Sequence, residues 1–104
     1  MRKILLMSDT GISPQMLAQK MRDEALARGI DVSIECRSVF DYRECAAEYD
    51  AALLAPQSRH HLRECQQSAA AAGKPLVCID PDMFWDLQSA AVLDLALSLL
   101  NNPA

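Results

Sequence analysis

The run Ile4-Leu5-Leu6-Met7, behind the basic pair Arg2-Lys3, is apolar without alternation. A strand that is apolar on both faces needs cover on both faces, which a parallel sheet between two layers of helices provides. Residues 3–7 are therefore read as a fully buried strand. The run stops at the small, polar turn Ser8-Asp9-Thr10-Gly11-Ile12-Ser13-Pro14-Gln15. Beyond it, Met16, Leu17, Met21, Ala25 and Leu26 recur at helical spacing up to Arg28. Ser13 suits an N-cap, Pro14 the first helical position, and Gly29 the residue after the last turn. A strand–loop–helix junction of this kind aims backbone N–H groups and a helix N-terminus at one spot, which suits a phosphate or another anion.

The remainder repeats the alternation. Ile30 to Arg37 places Ile30, Val32, Ile34 and Cys36 on one face, as in a half-buried strand at a sheet edge. Ser38 to Tyr49 reads as a short helix or helical turn. Asp50 to Ala55 is a second apolar run, cut off by Pro56. Ser58 to Ala72 is helical with Gly73 as its C-cap, and Leu76 to Ile79 is the last strand, stopped by Asp80-Pro81. A loop through Asp86 leads to a final helix from Leu87 to Leu100. Four short strands alternating with helices imply right-handed crossovers, hence an α/β, three-layer, doubly wound parallel sheet over residues 1–104 as one domain. The order 2-1-3-4 puts the alternating second strand outside and the two buried-type strands inside. The loops Ser8–Gln15 and Pro56–Arg59 then flank the switch-point crevice, where such folds bind ligands.

Bulk properties narrow the function. A net charge of -4 argues against nucleic acid, which rewards a basic face. No apolar run is long enough to span a bilayer, and the start has too few apolar residues for a signal peptide, leaving the cytoplasm as the expected location. Cys36, Cys45, Cys65 and Cys78 lack zinc-site spacing and are expected to be free, mostly buried thiols. No metal and no cofactor is expected.

Three blocks of the chain resemble the IIB subunits of the lactose/cellobiose (chitobiose) class of sugar phosphotransferase systems. The first is Lys3 through Ser13, against a family pattern of apolar strand, Cys, Ser or Asp, a small residue, Gly, an apolar residue and Ser. The second is Tyr49 through Arg59, where the family has an aspartate-led apolar strand, Gly-Pro-Gln and often Arg. The third is Lys74 through Asp80. The resemblance implies a flavodoxin-like fold and a phosphoryl relay. A IIA partner passes a phosphoryl group from phosphohistidine to a cysteine of IIB, which delivers it to a sugar, for this class a β-linked disaccharide, bound by the membrane permease IIC. It also implies a phosphate-binding loop of Asp9, Thr10, Gly11, Ile12 and Ser13, faced by Pro56, Gln57 and Arg59.

The chain departs from that pattern where the chemistry happens, because Ser8 stands at the phosphocysteine position. A thiolate is the competent nucleophile, and a hydroxyl at the same place stays protonated. Pro14 and Gln15 also replace the Thr and Ser common in the family. Two origins fit Ser8: an engineered Cys-to-Ser replacement in an active subunit, or a natural variant. The second is a paralogue that has lost, or changed, its transfer chemistry, and the main alternative function is a noncatalytic partner-binding or regulatory module. Ser8, Thr10, Gly11 and Ser13 also suit a flavodoxin phosphate loop, which would make the chain a flavin mononucleotide electron carrier, although four strands are lean for enclosing a flavin. A low-molecular-weight tyrosine phosphatase needs Cys and Arg where Ser8 and Pro14 stand. A receiver domain needs an aspartate ending the third strand. The plain alternatives are a strand-to-helix turn at Ser8–Gln15 and a strand terminator at Pro56-Gln57. His60 and His61 read as a solvated helix start, Phe84 and Trp85 as a packing anchor, and the methionines, Met16 and Met21 among them, as core filler.

Overall fold

The central strand pair dictates the architecture of this computed structural model, which describes residues 2–9 and 13–101, with only the backbone of Ser13. β1 (Arg2–Ser8) and β3 (Ala51–Leu54) pair in parallel, Ile4 opposite Ala51 through Met7 opposite Leu54. β2 (Val32–Ser38) adds to the other side of β1, and β4 (Leu76–Cys78) to the other side of β3. The sheet order is 2-1-3-4, all parallel, as the alternation of strands and helices implies.

Period-two alternation divides the apolar residues of β1 between two cores. Ile4 and Leu6 join Leu17, Met21, Leu53, Phe84, Val92 and Ala96 under α1 (Ser13–Ala27) and the C-terminal helices. Leu5 and Met7 join Tyr42, Cys45, Tyr49, Leu54, Cys65 and Ala69 on the opposite face. That face is covered by α2 (Tyr42–Cys45), set between two 3₁₀ turns, and by α3 (Leu62–Ala72). Glycine ends two helices: Gly29 and Gly73 both take a φ of +68°, the left-handed conformation that closes a helix. After α1, Ile30 N–H bonds the Ala25 carbonyl and Gly29 N–H that of Leu26.

Three expectations need correction. The span between the last strand and the last helix is partly helical: α4 (Pro81–Trp85) precedes α5 (Ser89–Asn101). The Asp80 carboxylate accepts the Asp82 N–H at 2.9 Å and Pro81 occupies the first turn, so the dipeptide that stops a strand also starts a helix. Met16 and Leu26 are 63% and 81% exposed, because α1 buries Leu17, Ala18, Met21 and Ala25 instead. Trp85 is exposed, and only its neighbour Phe84 anchors the core.

The end of the sheet where β1 and β3 begin is tied by one carboxylate. Asp50 Oδ2 accepts the Lys3 N–H at 2.8 Å, Asp50 N–H donates to the Lys3 carbonyl, and Asp50 Oδ1 lies 4.0 Å from Lys74 Nζ. Nearby, Tyr49 donates its hydroxyl to Glu35 at 2.9 Å, with Lys3 Nζ 3.7 Å from the same carboxylate. At the open edge, Arg22 Nε donates to the Ile34 carbonyl at 2.8 Å and occupies an edge acceptor.

Leu53→Ala, fully buried on a central strand, is expected to lower unfolding free energy by about 2–5 kcal/mol, read by urea titration. The Tyr49 hydroxyl, then Lys3 and Ser33, hold the Glu35 carboxyl below its ordinary value against partial desolvation. A depressed carboxyl contributes stability above its ordinary pKa and loses it as the pH falls through the folded value. Glu35→Gln is therefore expected to be less stable at pH 7 by at most about 1 kcal/mol, since the group is half-exposed. In parallel melts that gap closes as the pH falls from about 5 through the folded value.

Candidate functional site

The C-terminal ends of β1 and β3 lie side by side, and the chain leaves them in opposite directions. From β1 it turns to α1 on one face, and from β3 to α3 on the other. The two departing loops open a crevice at the switch point, where ligands bind in sheets of this kind. Ser8 closes β1 opposite Ser38 of β2, and the Ala55 N–H donates to the neighbouring Met7 carbonyl at 2.9 Å. Ser8 is fully buried. Thr10, Gly11 and Ile12 lie outside the described residues, as does the side chain of Ser13, whose backbone opens α1.

Asp9 joins the two loops. Its N–H donates to Ser58 Oγ at 2.9 Å, and Ser58 Oγ donates in return to Asp9 Oδ1 at 2.9 Å. Ser58 is fully buried at a non-helical break (φ -106°, ψ 18°) within the 3₁₀ turn Pro56–His61. That break turns the following residues back over β1. His60 Nε2 lies 3.3 Å and His61 Nε2 3.5 Å from Asp9 Oδ2. The Ser58 hydroxyl holds the Asp9 carboxyl below its ordinary value, helped by its backbone bond and by both imidazoles, against partial desolvation.

Of the expected facing residues, Pro56 and Gln57 are half-buried. The Gln57 carboxamide is enclosed with neither its nitrogen nor its oxygen hydrogen-bonded among the described residues. An unpaired buried amide costs roughly 1–3 kcal/mol, so this group is poised to accept a partner. Arg59 is exposed, and its charge acts on the Cys78 thiol. Burial pushes all four cysteine thiols up, opposite to the direction a nucleophile needs. They carry no disulfide.

His60 and His61 are the residues that the sequence reading placed wrongly. A solvated helix start describes His60, but His61 is only 17% exposed, and both rings converge on Asp9. The α-helix begins at Leu62 rather than Ser58, so both histidines belong to the switch-point loop. Their position directly after Pro56-Gln57-Ser58-Arg59 was the available signal.

Comparison with known proteins agrees with this fold. Residues 3–94 match the family model for the lactose/cellobiose-specific IIB subunit of the PTS system. The lactose-specific IIB component domain of the phosphoenolpyruvate:carbohydrate phosphotransferase system from Streptococcus pneumoniae has a similar structure, with a TM-score of 0.84 at 21% identity over 94% of this chain and 96% of that one. At that identity the likeness concerns the fold. The cellobiose-specific phosphotransferase IIB component from Borrelia burgdorferi also gives a TM-score of 0.84, at 29% identity over 99% of this chain and 94% of that one. No curated protein sequence matches the chain.

Ser58→Ala removes both bonds that tie Asp9 to the second loop. It is expected to lower unfolding free energy by roughly 1–3 kcal/mol, and amide exchange should speed up more at Asp9 than at the Asp50 end of the sheet.

Proposed function

The chain belongs to the family of lactose/cellobiose-specific IIB subunits of the PTS system, and from that premise we propose that it is a cytoplasmic IIB component whose phosphoryl-acceptor position is residue 8. In this role it docks a IIA protein carrying phosphohistidine and the membrane permease IIC, and serves uptake of a β-linked disaccharide. With Ser8 in the acceptor position, the relay stops at this chain. None of the described helices is long and apolar enough to cross a membrane, which fits a subunit that meets the bilayer only through IIC.

The observation that carries the proposal is the place of Ser8, buried at the carboxyl end of a central strand at the topological switch point. A group at that position lies between the strand ends from which the chain departs to α1 and to the loop after β3. Backbone donors preorganised around a phosphoryl group stabilise the charge that moves during transfer, and a helix N-terminus favours a thiolate over a thiol. Neither effect turns a serine hydroxyl into a nucleophile at neutral pH. A general base would be needed, and the adjacent carboxylate is engaged elsewhere. Asp9 Oδ1 takes the Ser58 proton, and Oδ2 faces the two imidazoles. Gln57 supplies an unspent amide for the phosphoryl oxygens.

The test is incubation of the chain and of Ser8→Cys with phosphorylated IIA from the same genome, followed by intact-mass measurement under non-acidic conditions. The expected result is a phosphoryl adduct on Ser8→Cys and none on the serine form, with IIA binding retained by both. An adduct on Ser8 overturns the arrest. A Cys form that docks IIA and stays unmodified overturns the relay and makes the chain a docking module, with Pro14 and Gln15, in the first turn of α1, as the residues at fault.

A further inference from the structure

We propose that Asp9, His60 and His61 form a binding site for a divalent transition-metal ion of the zinc type, with Asp9 Oδ2 and the Nε2 atoms of both histidines as ligands. The proposal rests on these side chains alone and is independent of phosphoryl transfer.

Both imidazoles lie within ion-pair distance of Asp9 Oδ2, yet too far for a direct hydrogen bond. The contacts to Asp9 Oδ2, 3.3 Å from His60 and 3.5 Å from His61, exceed the about 2.7–3.2 Å of an N–H···O hydrogen bond. They match instead the edge of a tetrahedron around zinc, about 3.3–3.4 Å for ligand bonds of about 2.0–2.1 Å. One donor atom from each of the three residues lies within 4.8 Å of the others. The rings stand 4.2 Å apart, a spacing at which two imidazolium charges repel and two neutral imidazoles can share one cation. Two imidazoles and a carboxylate are a donor set suited to zinc.

The surroundings hold the donors in place. Ser58 fixes Oδ1 and the backbone N–H of Asp9, which leaves Oδ2 for the ion. His61 Nδ1 lies 4.0 Å from Glu64 Oε2, an exposed carboxylate beyond direct hydrogen-bond distance. The edge-to-face contact of Phe40, 5.3 Å between ring centroids, packs the same ring from the side. Three protein donors leave a fourth tetrahedral position for water or an anion, as in open zinc sites.

The experiment titrates tag-free, chelator-treated protein with Zn²⁺ by calorimetry and with Co²⁺ by absorption. The expected result is one ion per chain, a tetrahedral Co²⁺ spectrum without thiolate-to-cobalt absorption, and affinity at least about tenfold weaker in Asp9→Asn and in His60→Gln/His61→Gln. Stoichiometric binding that survives those substitutions overturns the site, as does thiolate absorption or no binding. Because the chain has only two histidines, imidazole nitrogen resonances of the unsubstituted protein give an answer even where a variant fails to fold. Zn²⁺ should shift the Nε2 signals of both rings, and unchanged signals overturn the proposal.

Discussion

The structure depends on one constraint: β1 has no face that tolerates water. Ile4 through Met7 present apolar groups alternately to both sides of the sheet, and all of them are fully buried. A strand of that kind must lie inside a sheet with a helical layer on each side. Parallel pairing follows from the crossovers such layers need, and each crossover leaves its strand at the same end. The crevice beside Ser8 is therefore a by-product of covering both faces. It forms because the chain departs to one layer after β1 and to the other after β3.

Much of this was legible because the signals were local. The alternation in Ile30, Val32, Ile34 and Cys36 marked an edge strand, and β2 lies at the edge with only Ile34 fully buried. The Ser13-Pro14 start and the Gly29 stop bounded α1 within a residue. What escaped the reading depended on distant residues. Following Pro56-Gln57-Ser58-Arg59 directly, His60 and His61 could have been assigned to the switch-point loop, but that position does not name Asp9, about fifty positions earlier, as the residue they face. Helical spacing identified the apolar positions of α1 but not its exact orientation, so Met16 and Leu26 were assigned inward and point outward. Asp80-Pro81 carried two meanings, and only the strand-ending one was read.

The two ends of the sheet are held by different means. At one, a single carboxylate, Asp50, bonds the start of β1 and reaches the residue before Pro75. At the other, the reciprocal bonds of Asp9 and Ser58 cross from loop to loop. The helical layer between them is fastened independently, since Arg28 of the α1 end pairs with both Glu24 and Asp94 of α5. Loop geometry can thus change at the crevice without loosening the strands that carry it.

The enclosure of Ser8 also bears on how a gene of this kind can evolve. Neighbours that surround a side chain completely constrain its volume closely. Sulfur exceeds oxygen in bulk by far less than leucine or lysine exceeds serine, and serine and cysteine codons lie a single base apart. Selection for a folded, abundant protein therefore rejects a leucine or a lysine at residue 8 more strongly than the exchange of hydroxyl for thiol. Under the role proposed for residue 8, one base change separates a chain that arrests the relay from one that carries it.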